Sequence, residues 1–262
     1  DSYYDETYKF RTSKYSLPVN IKEPDLSEGT SPLSSLRISQ SFNKVTTALY
    51  NNEDMSDYID LDYLARFLFV NELVANTELM HPKSTYCYNE NIMDTNSKYI
   101  FGPVWDFDWA YGYQYTGNYF TYSANTDFWT RTSMEATQWV KDMRYCGDNF
   151  DKIYYNLWHN FVNDGRLEEL LEFCQDYYDY ASESFTHDNT LWGKGDATAY
   201  ASVTERGINW LRNRANYIYD YMTNTLGYAD KNYIETTDGI IKGDVNGDGA
   251  VTTADLVCVL NY

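Results

Sequence analysis

Between Asp60 and Leu73 the chain places Leu61, Leu64, Ala65 and Leu68 at helical spacing, and Phe67, Phe69 and Val70 widen the apolar face well beyond a stripe. A helix apolar on so much of its circumference cannot lie on a surface. It has to be central and buried, with the rest of the fold built around it. Asp60 just ahead of it is a good N-cap, because its carboxylate can accept from the first free N–H groups of the helix. The hydrophobic fraction of 43% supplies a full core, and 262 residues are enough for one large domain with a small appendage.

Around this helix the pattern predicts a mostly helical α+β domain. Residues 1–40 are irregular, with Pro18, Pro24 and Pro32, and a short strand is expected over Tyr15–Ile21. Ser39–Tyr50 reads as a short helix. Ser84–Tyr88 and Tyr99–Trp105 read as two strands of a small antiparallel sheet, joined by the polar hairpin loop Asn89–Lys98. Residues 112–134 form an aromatic, Gly- and Asn-bearing loop. Helices are then expected over Phe150–Phe161, Leu167–Phe185 and Glu205–Leu226. In the last, Ile208, Leu211, Ala215, Ile218 and Met222 keep helical spacing, and Gly227 follows as the C-terminal stop. Tyr228–Lys242 is polar and reads as a linker. The division is therefore 1–227, a linker at 228–242, and a separate piece at 243–262.

A formal net charge of −19 repels phosphate backbones and anionic lipid, which argues against nucleic-acid and membrane partners. No apolar run approaches the roughly 18 residues of a membrane span. Cys87, Cys146, Cys174 and Cys258 are scattered without paired spacing, so free thiols are expected rather than zinc or a disulfide framework. The 28 tyrosines, 7 tryptophans and 12 phenylalanines are expected chiefly to fill the core, although aromatic rings in loop 112–134 could also stack on sugars.

Two segments concentrate groups capable of chemistry. Asn71–Ser84 follows the buried helix and carries Glu72, Glu78 and Lys83, with Pro82 forcing a loop at His81. Gly102–Gly112 follows the second strand and carries Asp106 and Asp108. The hairpin between them should bring both segments to one end of the sheet, where Glu78, Lys83, Asp106 and Asp108 converge. Carboxylates beside a cationic side chain suit a divalent cation and phosphate chemistry. Each charged group also has a purely structural use: Glu72 and Glu78 at a helix end, Asp106 and Asp108 in a tight turn, and, later in the chain, Arg212 and Arg214 on a solvated face.

A third segment stands apart. Asp244, Asn246, Asp248, Thr252 and Asp255 occupy positions 1, 3, 5, 9 and 12 of a loop with Gly249 at position 6, and Ala250 at position 7 offers its carbonyl. This is calcium-loop spacing. The loop opens a helix over Thr253–Tyr262.

Asp244–Asp255 with Leu256 after it resembles the first repeat of a dockerin, which implies Ca²⁺, a cohesin partner, secretion and attachment to a cellulosome. A dockerin has two such repeats, so this one is expected to be half of the module. The order helix, acidic loop, strand, turn, strand, Asp-bearing loop is that of a kinase catalytic core. With Trp105-Asp106-Phe107-Asp108 and the helix Trp210–Ala215, it resembles the CotH family of spore-coat-type atypical kinases over roughly residues 15–226. The resemblance implies an atypical kinase fold and Mg²⁺·ATP-dependent phosphorylation of protein hydroxyls. It puts Glu78 where the family has its catalytic Asp, Asp106 at the metal-holding Asp, Asp108 at the second acid of that motif, and Lys83 or Ser84 where an Asn is usual. It also leads us to expect a domain incomplete at its N-terminal side, since no nucleotide-gripping segment precedes Glu78. Two other functions are compatible with the same residues: a non-catalytic structural or carbohydrate-binding module, and a glycoside hydrolase using Glu78 and Asp106 as an acid/base pair.

Overall fold

The computed structural model describes residues 7–27, 29, 31, 33–80, 84–113, 118–121, 123–125, 135–193, 197–231 and 233–234. Among these, the architecture is a mostly helical α+β fold with two small antiparallel sheets. The first sheet pairs β1 (Lys9–Arg11) with β2 (Pro18–Asn20). β2 lies inside the expected strand but begins later, because Tyr15 and Ser16 have φ of 62° and 53° and make the turn. Helix α1 (Ser35–Tyr50) starts ahead of the expected Ser39, since the Ser34 hydroxyl accepts from Arg37 N at 3.3 Å and caps it. Phe42, Val45, Thr46 and Leu49 form its buried face.

Helix α2 (Leu61–Leu73) is the centre the sequence demands. Leu64, Ala65 and Leu68 have no exposed surface, and the Asp60 carboxylate caps the helix by accepting from Tyr63 N at 3.1 Å. The second sheet pairs β3 (Cys87–Tyr88) with β4 (Ile100–Phe101) in the register Cys87↔Phe101 and Tyr88↔Ile100. Both strands are shorter than expected. Gly102 N still donates to Tyr86 O at 3.0 Å, but Pro103 has no N–H with which to continue the ladder. At the other end Tyr99 pairs elsewhere: its N–H donates to Tyr58 O at 2.8 Å, and its carbonyl accepts from Asp60 N at 3.0 Å. The hairpin is thereby fastened to the start of α2.

Four further helices complete the body: α3 (Glu135–Arg144), α4 (Asp148–Asn163), α5 (Arg166–Trp192) and α6 (Ala197–Asp220). α2 packs on α4, and α5 packs on both α4 and α6. α3 was not expected, although Trp139, Val140 and Met143 are buried at helical spacing. α5 runs past the expected Phe185 and stops at Gly193, whose φ of 61° suits only a glycine-like cap. After α6 the chain widens into a π-type turn at Tyr221–Thr225, and Gly227, at φ 68°, ends it as expected. Among the described residues the aromatics divide: Phe150, Tyr154, Tyr155 and Trp158 of α4 are almost fully buried, whereas Phe173, Tyr177, Tyr180 and Trp192 of α5 are exposed. Cys87, Cys146 and Cys174 are free thiols, and burial pushes Cys87 and Cys146 up to about 12. Cys258, the calcium-loop residues Asp244, Asn246, Asp248, Ala250, Thr252 and Asp255, and the helix expected after them lie outside the described residues.

Two expectations need correction. Arg212 and Arg214 do not share a solvated face. Arg212 meets Glu168 at 2.8 Å on the surface, whereas Arg214 is fully buried and ion-paired with Glu72, itself fully buried. Glu72 is therefore a core residue rather than a solvated helix end. Nor does a linker start at Tyr228. Tyr228–Lys231 forms a 3₁₀ turn, and Tyr228 is 4% exposed. Its ring lies edge-on to Tyr155 at 5.7 Å and to Tyr233 at 5.4 Å. Tyr228→Ala is expected to cost about 3–5 kcal/mol, the range for removing a large buried ring. Urea unfolding measures this. A midpoint equal to wild type would return residue 228 to the linker.

Candidate functional site

The site forms where two chain segments leave the core side by side. α2 ends at Leu73, and Ala75, at φ 49°, turns the chain into a short 3₁₀ turn, Thr77–Met80. The second segment leaves β4 and carries Asp106 and Asp108. Tyr111 N donates to Val74 O at 2.6 Å. Thr77 donates twice to Trp109 O, from its N–H at 3.3 Å and its hydroxyl at 2.8 Å. These bonds set the two acidic stretches against each other.

Glu78, Asp106 and Asp108 each offer a carboxylate oxygen, and these oxygens lie within 4.8 Å of one another. Glu78 is half-buried, whereas Asp106 and Asp108 are exposed. An all-oxygen donor set at this separation fits a hard divalent cation such as Mg²⁺, Mn²⁺ or Ca²⁺. Of the four residues expected to converge, Glu78, Asp106 and Asp108 do come together. The fourth, Lys83, lies outside the described residues with His81 and Pro82.

Glu78 is placed by two amides that the sequence reading passed over. Asn71 donates to Phe67 O at 2.8 Å, Asn76 donates to the Asn71 side-chain oxygen at 3.0 Å, and the Asn76 side-chain oxygen accepts from Glu78 N at 3.1 Å. Both amides are buried, at 3% and 4% exposure. Asn71 and Asn76 are five apart, an interval with no helical or strand meaning, so only the turn at Ala75 makes them neighbours.

Asp106 has φ 65°, an unusual conformation for a residue with a Cβ. Its carboxylate accepts from the Ser84 hydroxyl at 2.9 Å, and Ser84 is itself left-handed at φ 49°. Two residues in a sparsely populated conformation face each other across the site, as occurs where function fixes geometry against local preference. Asp108 is held above the ordinary carboxylate range by the hydrogen bond it shares with the Asp106 carboxyl, helped by desolvation and by repulsion from the Asp106 charge.

Aromatic rings border the acids. Trp105, 57% exposed, meets Tyr86 edge-on at 6.3 Å. On the other side Trp109, Tyr113 and Tyr119 pack in series, and the Tyr119 hydroxyl donates to Asp108 O at 3.2 Å. Phe120 rests on Trp210 and over Gly207, where a Cβ would come within 2.8 Å of its ring. The described part of the expected aromatic loop is thus largely engaged in packing.

A family model described as CotH kinase protein matches residues 10–218. No curated protein and no solved structure matches the chain.

The Asp106–Asp108 pair sets a pH dependence. Asp108 titrates above its unfolded value, so the stability it contributes is present below the ordinary Asp pKa and is lost as pH rises through the raised one. A bound cation opposes that loss by balancing the second charge. Mn²⁺ affinity is therefore expected to climb as pH rises through the raised pKa, with release of a proton. Asp106→Asn should return Asp108 toward the ordinary range. A carboxyl-detected NMR titration reads this directly, and an unmoved Asp108 in Asp106→Asn would show that no proton is shared.

Proposed function

Because the chain belongs to the CotH kinase protein family, we propose that it transfers a phosphoryl group from Mg²⁺·ATP to a protein hydroxyl at the Glu78–Asp106–Asp108 cluster. The observation that carries this reading is the convergence of three carboxylates from two segments on one point. Asp106 and Asp108 hold the cation. When bound, it supplies charge neutralisation on the phosphates. Glu78, set deeper and fixed through Asn76, turns one carboxylate oxygen toward the same cation and with the other accepts the acceptor hydroxyl's proton as the new O–P bond forms and the bond to the ADP leaving oxygen breaks. Glu reaches one methylene further than the Asp usual in the family and can still accept a proton. Lys83, close in sequence, is assigned to a phosphate.

The hydrolase reading has only the paired acids Glu78 and Asp106 behind it, whereas three carboxylates converging from two segments suit a cation more specifically than a two-carboxyl acid/base pair. The non-catalytic reading rests on the Glu at position 78 and Lys83, and it predicts no nucleotide turnover. Mg²⁺-dependent phosphoryl transfer, to the chain itself or to added protein, is expected from wild type and is expected to fall at least 100-fold in Asp106→Ala. Equal incorporation by both proteins would sink the assignment, and binding of Mg²⁺·ATP without transfer would favour the non-catalytic module.

We further read Asp244–Asp255 as a Ca²⁺ loop of a cohesin-docking module on a secreted, cellulosome-attached protein. Its support is the donor spacing of Asp244, Asn246, Asp248, Ala250, Thr252 and Asp255. Calorimetric titration should show one Ca²⁺ site that disappears in Asp244→Ala/Asp248→Ala while Asp106→Ala retains it. Ca²⁺ binding unchanged in the double variant would remove this loop from the account.

A further inference from the structure

The buried ion pair between Glu72 and Arg214 raises a question of purpose. Both side chains have no exposed surface. Bringing two charges into a core costs several kcal/mol each, and a well-packed apolar pair of similar volume is commonly as stable or more so. Stability alone does not account for it. What an apolar pair could not reproduce is the directionality of the guanidinium. Arg214 Nε donates to Glu72 O at 3.0 Å, one terminal nitrogen donates to Ala124 O at 3.1 Å, and the other meets the Glu72 carboxylate. One side chain of α6 thus joins the last turn of α2 to a segment near residue 124.

The Glu72 carbonyl is where this bears on the site. It belongs to the end of α2 that has no helical N–H to receive. It accepts Arg214 Nε and also Ala75 N at 3.1 Å, the residue that turns the chain toward Glu78. From there Asn76 N bonds Asn71 O at 2.9 Å, and the Asn76 side chain bonds Asn71 and receives Glu78 N. Val74 O holds Tyr111, and Thr77 holds Trp109. Arg214 is thus connected to the acid cluster by hydrogen bonds of fixed direction and the short stretches of backbone they pin.

We propose that the Glu72–Arg214 pair is the positioning element of the acidic site: it sets the orientation of the α2 terminus so that Glu78 meets Asp106 and Asp108 within reach of one cation. This rests on reading the cluster as a cation site. Arg214 touches neither the cation nor a substrate. It acts by removing conformational freedom from the turn at Ala75, which would otherwise swing the Glu78 carboxylate away from the other two. Supporting residues behind a metal site typically change affinity about 10–100-fold when removed.

The test separates positioning from stability. In the full chain, Glu72→Leu/Arg214→Met replaces the pair with apolar groups of similar volume. The urea midpoint of this variant should stay near or above wild type, whereas Asp106-dependent Mn²⁺ affinity should fall about tenfold or more. Amide exchange over residues 75–78 should speed up by a similar factor. Arg214→Lys provides a second variant in case the double fails to fold. It keeps the charge but loses the fork to Glu72 O and Ala124 O, and the same two losses are expected. Asp106→Ala supplies the baseline, which also excludes cation bound at Asp244–Asp255. Wild-type Mn²⁺ affinity and wild-type exchange in a folded variant would overturn the positioning role alone. Mn²⁺ binding that is identical in wild type and Asp106→Ala would overturn the cation site and the positioning role with it.

Discussion

The arrangement depends on the backbone hydrogen bonds that fasten the chain leaving α2 to the chain leaving β4, Tyr111 N to Val74 O and Thr77 N to Trp109 O. A two-residue strand paired with another is too small to hold its own geometry in water. Here it does not have to. Its near end is clamped to the start of α2 through Asp60 and Tyr99, and the segment beyond it is clamped to the end of α2. The hairpin is carried by the helix like a handle fixed at both ends. Asp106 and Asp108 sit between the two clamps and Glu78 directly follows Thr77 of the second, so their separation is set by the buried helix α2 rather than by the loop that bears them.

Much of this was legible because it follows from local rules. Asp60 caps α2, Leu64, Ala65 and Leu68 are its core, and Gly227 stops the last helical stretch, as spacing and residue type required. Convergence of Glu78 with Asp106 and Asp108 was legible too, since a hairpin returns the chain to where it started. Other features depend on contacts far apart in sequence. Arg214 and Glu72 are separated by 142 residues; helical spacing sets Arg214 between Trp210 and Ile218 on the buried face and Arg212 off it, but no local rule names the distant acid that pairs with it. The strand ends were overextended because alternation does not register where Pro103 breaks the ladder or where Tyr99 changes partner. α3 had its signal in Trp139, Val140 and Met143, but it follows an aromatic stretch whose irregular pattern obscured its start. Tyr228 was assigned by the polar composition around it, and a single buried ring reverses that assignment.

The local strain and the local charge in the site point to the same centre. Asp106 and Ser84 are both held left-handed and are joined by one hydrogen bond. A conformation of this kind costs on the order of 1–3 kcal/mol, and the surroundings have to impose it. In an ordinary turn, Asn or Gly at position 106 would relieve both the strain and the repulsion from Asp108. The chain instead keeps an aspartate there, in a protein of net charge −19, beside a second aspartate whose pKa it raises. A turn that needed only a hydrogen-bonding side chain would not accumulate three carboxylates. Together they make sense as a preformed cage whose repulsion a divalent cation relieves.

That reasoning also explains why the supporting shell is polar where an apolar one would suffice for stability. Asn71, Asn76, Glu72 and Arg214 are all buried and all hydrogen-bonded in fixed directions. Apolar packing can fill the same volume, but it permits the α2 terminus to rotate by amounts that matter at a carboxylate. Displacing Glu78 by one ångström changes whether three oxygens meet one ion, since hard cations bind oxygen at about 2.0–2.6 Å and tolerate little spread. Directional bonds resist that rotation in a way dispersion contacts do not. On the cation-site reading proposed above, the polar core around residues 71–76 follows from the acidic site in front of it, and its desolvation cost goes with that site's demand for geometry.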